Sequence, residues 1–183
     1  MYWSGTDYDR MAQLVIDIYV DYNIRSFPVD EKEICRKLGL KLIPYSEYPE
    51  EQEALLRKRS MDAFFAPATR TTPPNVFYND KVESRGRLRY NIFHEVKHFV
   101  TGDKDDGEYN DNMADYFARY FMCPIPYLIE YGIDNELTLI SDHLISQEAA
   151  RNTIKNVRNR KAVYADKIFD YEKPLVDLFA IRF

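Results

Sequence analysis

Residues 92–100 read IFHEVKHFV, and they place two of the chain's three histidines, His94 and His98, four positions apart with Glu95 between them. In an α-helix, positions i and i+4 stack one turn apart on the same face, so both imidazoles can aim a nitrogen at one point. Glu95 projects to the side of that pair. A helical histidine pair that is merely packed and hydrogen-bonded is the plainer reading, and the rest of the chain has to separate the two.

Neutral imidazole binds Zn²⁺ at about 2.0–2.1 Å. A glutamate beside such a pair can take a proton from water and hand it to a leaving amine. The spacing is that of the HExxH metalloprotease motif. Catalytic zinc takes three protein ligands and keeps a fourth position for water, so a neighbouring helix must deliver a third ligand. After the loop TGDKDDGE (101–108), the stretch YNDNMADYFARYFMCP (109–124) carries Met113, Phe117, Tyr120 and Phe121 at helical spacing and stops at Pro124. Asp111 and Asp115 share one face of that helix. Asp111 can close a metal site, and Asp115, one turn on, can hold the far N–H of a ligand histidine. An acidic residue also suits the positive end of a helix for its own sake; beside HEVKH the ligand reading is the stronger. Tyr90 lies on the His94 face and is a candidate donor to an oxyanion, although a tyrosine one turn away is as a rule core.

Working outward, 183 residues accommodate one domain, or one domain with a small appendage. A hydrophobic content of 45%, with 15 Tyr and 11 Phe, is enough to bury a core. No run of 18 apolar residues exists, and the acidic start MYWSGTDYDR lacks the basic, then apolar, layout of a signal peptide. A cytoplasmic location is therefore expected. The two cysteines, Cys35 and Cys123, form no CxxC pair and read as small buried hydrophobes. A net charge of −5 argues against general coating of nucleic acid.

The pattern along the chain predicts an α+β fold, with a small antiparallel sheet of about three strands packed on a helical core. Residues 7–22 have helical periodicity. A second helix follows Asp30 as N-cap, with Glu33 placed for a capping box and Gly39 at the C-terminal turn. LKLIPY (40–45), MDAFFAPA (61–68) and NVFYND (75–80) read as strands, the last two joined by TRTTPPN, and Glu50–Arg59 as a solvated helix. Helices are expected at 84–101 and 109–122. The expected organisation is a domain over 1–130 and a helical extension over 131–183, packed on the same core.

In that extension, two helical patterns meet at Ser146, a good N-cap. The second carries Arg151, Lys155, Arg158, Arg160 and Lys161 with no acid among them. The pair resembles a helix-turn-helix; an ordinary solvated helix pair is the plainer reading. The expected use of such a pair here is to dock a protein substrate rather than DNA. His143 lies here, outside any ligand spacing, and reads as structural.

NVFYND (75–80), RYNIFHEVKHFVTGD (89–103) and DNMADYFARYFMCP (111–124), taken together and in this order, resemble the ImmA/IrrE family of bacterial metallo-endopeptidases, over roughly residues 28–130. Such sequences run strand, Asn-Asp turn, RFxxAHELGH and then ExEAxxFAxxLLMP. The resemblance implies a zincin-like domain in which His94 and His98 bind zinc and Glu95 is the catalytic base. In related gluzincins the third ligand is the first residue of an ExxxD or ExxAD motif. That motif here runs from Asp111 to Asp115, with a side chain one methylene shorter at the ligand position. Glu108 is the alternative third ligand. Lys97 stands where the family often has Gly, and its ammonium is expected to snorkel outward, away from a metal. The resemblance further implies a zinc-dependent endopeptidase of narrow specificity that cleaves a helix-turn-helix repressor encoded nearby, derepressing phage or mobile-element genes. The competing expectation is a catalytically weak or inactive member that acts by binding a repressor or DNA. No membrane partner and no specific DNA binding are expected.

Overall fold

The computed structural model describes residues 5–103 and 107–180, and the chain divides into two compact units. One comprises residues 30–118; the other joins residues up to Val29 to Arg119 onward, so the division falls inside a helix. The sequence-based expectation of a break at 130 places the first helix with the motif; the observed units place it with the C-terminal helices.

The 30–118 unit begins at Asp30, whose carboxylate accepts the Lys32 and Glu33 amides at 2.8 and 3.1 Å, so helix α2 spans Glu31–Leu38. The reciprocal half of the expected capping box is replaced, since the Glu33 carboxylate pairs with Lys37 at 2.9 Å. Gly39, at φ 80°, takes the left-handed turn that ends the helix without a Cβ penalty. Strand β1 (Lys41–Pro44), helix α3 (Glu50–Arg59), strands β2 (Ala63–Ala66) and β3 (Asn75–Tyr78), and helix α4 (Arg85–Thr101) follow. Helix α5 (Glu108–Met122) passes out of this unit after Ala118.

The fold is α+β, as the sequence pattern predicts, but the sheet is mixed rather than antiparallel. Its order is β1-β3-β2, with β2 antiparallel and β1 parallel to β3. Alternation along LKLIPY identifies a strand and is silent on the direction of its partner. A parallel pair needs a long crossover, and α3 with β2 supplies it. β3, the central strand, buries Asn75, Val76 and Tyr78. α4 lies against β2 and β3, with Leu88, Ile92, Phe93 and Val96 buried.

α4 also carries Arg89 into the interior at 1% exposure, where its Nε donates to Glu31 of α2 at 3.2 Å; Arg85 Nη2 pairs with the other oxygen of Glu31. In the second unit, α1 (Gly5–Asp21) meets α9 (Lys173–Ala180), and α6 (Ile125–Glu130) and α7 (Glu136–His143) meet α8 (Gln147–Tyr164). Its interior is aromatic. Tyr19 donates its hydroxyl to the Phe121 carbonyl at 2.6 Å, Phe27 stacks on Phe179, and buried His143 binds the Met122 carbonyl through Nδ1 at 2.9 Å. His143, read from the sequence as a structural residue, is thus buried and hydrogen-bonded within this unit. Cys35 and Cys123 are buried thiols, and burial pushes the Cys35 thiol up to about 12. No helix among the described residues is long and apolar enough to cross a membrane.

Removing one partner of a buried ion pair strands the other. Glu31→Ala should therefore lower the unfolding free energy by about 3–5 kcal/mol, read from urea titrations. A loss under about 1 kcal/mol would show that Arg89 finds water or another acceptor.

Candidate metal centre

α4 presents His94 and His98 one turn apart, with ring centroids 5.1 Å apart, and α5 brings Asp111 to them. One ligand atom from each residue can be chosen so that all lie within 4.8 Å of one another, the one such group of three or more among the described residues. His98 Nε2 and Asp111 Oδ1 are 3.8 Å apart. Donors held at about 2.1 Å from one tetrahedral ion lie about 3.4 Å apart, so modest contraction completes the set. The three residues can hold a metal ion. Glu108 is exposed and not one of them, so the structure favours Asp111 over it.

Both imidazoles are oriented from behind. His94 Nδ1 faces Asp115 Oδ1 at 3.0 Å, the expected arrangement, and His98 Nδ1 faces Asp103 Oδ2 at 2.8 Å. A carboxylate accepting Nδ1–H fixes the tautomer and leaves Nε2 with its lone pair for a metal. Asp103 is the residue that spacing arguments missed, because it lies beyond the helix. Gly102 (φ 66°) turns the chain left-handed after Thr101, the Asp103 amide closes onto the His98 carbonyl at 3.1 Å, and the side chain is thereby delivered to the His98 ring. The signal for it was the Gly-Asp pair following the helix.

Tyr90 donates its hydroxyl to Asp115 Oδ1 at 2.6 Å, so in this structure it orients the carboxylate behind His94. Glu95 stands apart from the ligand group, and its Oε2 accepts the amide of Phe65 in β2 at 2.8 Å. Lys97 overturns its expectation. It does not snorkel outward but is 1% exposed, with Nζ 2.6 Å from Asp103 Oδ2 and 3.0 Å from the Asn110 carbonyl. Paired acceptors on both sides make burial of the ammonium tolerable.

Electrostatics favour ligand-ready forms. Burial, and then the neighbouring His98, hold the His94 pKa below its ordinary 6.5, against the attraction of Asp115 and Asp111. Burial alone raises the Asp103 carboxyl, yet hydrogen bonds from Lys97, Thr101 and His98 outweigh it and hold the pKa below 3.8. No protein-family model matches this chain, and no curated protein sequence does.

Two outcomes follow from this geometry. Removing a carboxylate behind a histidine, as in Asp115→Ala or Asp103→Ala, should weaken metal binding by about 10–100-fold with all three ligands intact, measured by chelator competition; undiminished affinity in both would remove their assigned roles. In metal-free protein, His94 should titrate by NMR with a midpoint below 6.5. The sign follows from the shift: a folded pKa below the unfolded value means that acidification through 6.5 protonates the unfolded chain first and costs stability at this residue. A midpoint above 6.5 would mean that Asp115 outweighs burial.

Proposed function

We propose that this chain is a zinc-dependent endopeptidase of narrow specificity, acting on a helix-turn-helix repressor protein encoded nearby. The observation that carries the proposal is the His94, His98, Asp111 group, with carboxylates behind both imidazoles and Glu95 next to His94 in the chain. Two imidazoles and one carboxylate are the donor set of a catalytic zinc centre, which keeps a position open. The likeness of residues 28–130 to ImmA/IrrE endopeptidases supports the same reading, and supplies the repressor as substrate.

Zinc, when bound, supplies Lewis acidity that polarises a peptide carbonyl and makes water nucleophilic near neutral pH. The remaining work belongs to the chain. His94, His98 and Asp111 hold the ion; Asp115, with Tyr90 behind it, and Asp103 keep the imidazoles in one tautomer. Glu95 accepts the proton of the attacking water and returns it to the amine as the peptide C–N bond breaks. Its bond from the Phe65 amide holds one oxygen and restricts the side chain's rotation.

The basic stretch in α8 gives little support to a DNA-binding role. Arg160 pairs with the fully buried Glu172, Lys161 with Asp166 at 2.8 Å, and Arg151 lies 3.6 Å from Glu136. Phosphate contacts need cations available to displace counterions, and three of the five in this stretch are engaged within the unit.

Glu95→Gln keeps size and shape but cannot accept a proton at neutral pH, so it should retain stoichiometric zinc while cleaving the repressor about 10²–10⁴-fold more slowly. His94→Ala should lose zinc and cleavage together. Wild-type cleavage rates from Glu95→Gln would refute the mechanism, and a wild type that binds the repressor without cutting it would make the protein a binder.

A further inference from the structure

Lys97 connects the two ends of the segment that separates α4 from α5. An ammonium has three protons in a tetrahedral arrangement, and Nζ has three acceptors: Asp103 Oδ2 at 2.6 Å, the Asn110 carbonyl at 3.0 Å and Asn110 Oδ1 at 3.5 Å. Asp103 is the residue whose same oxygen meets His98 Nδ1, and Asn110 immediately precedes Asp111. One buried cation thus bridges the group that orients a histidine and the backbone that carries the carboxylate.

That bridge bears on reach. An aspartate has a single methylene between backbone and carboxyl, so where its oxygen can go is decided by where the helix backbone lies. The Asp111 side chain is 50% exposed, so side-chain packing constrains it weakly. The Lys97 stem is long and flexible enough to carry its ammonium to water, yet the residue is 1% exposed. The polar contacts to Asp103 and Asn110 hold it inside.

We propose that Lys97 is a positioning residue for the metal centre: its ammonium draws the first turn of α5 toward α4, so that the short Asp111 side chain reaches the ion held by His94 and His98. This rests on the metal-binding reading above. It assigns the lysine no contact with metal or substrate.

The test uses the full chain, with Zn²⁺ affinity from chelator competition and amide hydrogen exchange of the metal-free protein. Lys97→Met keeps the stem and removes the ammonium. Exchange over residues 107–112 should quicken while the interior of α4 is unchanged, and Zn²⁺ affinity should fall by about 10–100-fold, as for other residues that orient ligands. Adding Asp111→Glu to Lys97→Met should recover most of that loss, because the extra methylene spans the opened gap; Asp111→Glu in the wild-type chain should bring no such gain. If Lys97→Met does not fold, Lys97→Gln, which keeps a donor for Asp103 but is too short to reach both sides, should show the same loss and the same rescue. A folded variant at position 97 with wild-type Zn²⁺ affinity, or a double variant no tighter than the single, overturns this inference and leaves the metal centre standing. A wild type that takes up no Zn²⁺ overturns the metal reading, and this inference with it.

Discussion

A helix that buries cations must be met by carboxylates from elsewhere, and α4 imposes that demand on its whole unit. It carries Arg85, Arg87, Arg89 and Lys97 with His94 and His98, against a single acid, Glu95. Arg89 and Lys97 are each 1% exposed. An unpaired charge at that depth would cost several kcal/mol, so each meets an acid: Glu31 from α2 for Arg89, and Asp103 for Lys97. Arg85 shares Glu31, and Arg87 takes Asp62 at 2.8 Å.

The same demand builds the candidate site. One of the carboxylates that meets a buried cation of α4 also stands behind an imidazole, so charge balance and ligand orientation coincide there. Asp103 shows this most directly, because one of its oxygens meets both Lys97 and His98. Glu95, the one acid of α4, accepts a backbone amide of β2 and is not one of the three ligand residues. A glutamate outside the ligand group is what the proposed chemistry needs.

The other unit meets a comparable demand locally. Its basic helix α8 looks like a ligand surface when read as a string, with five cations in eleven positions. In three dimensions Arg160 neutralises Glu172, which is fully buried, and is itself held over the Phe169 ring at 4.8 Å. The apparent patch is in part the cost of burying an acid.

By itself the sequence determined what depends on local periodicity and local hydrogen bonding. The helix carrying HEVKH, the caps at Asp30 and Ser146, the turn at Gly39, and the shared face of Asp111 and Asp115 depend on residues within a turn or two of one another. That Asp115 can stand behind one of the two histidines was legible for the same reason, once two helices each displayed a repeat of four; that it is His94 came from the structure. Strand direction was not, because alternation records which face is buried and nothing about the neighbour. The fate of Lys97 was not legible either. A long cationic side chain goes outward unless acceptors await it inside, and those acceptors, Asp103 and the Asn110 carbonyl, stand six and thirteen residues away across a turn. Only the tertiary structure decides whether they converge, because the chain between them can place its ends at many separations, and burial selects the one in which no charge is stranded.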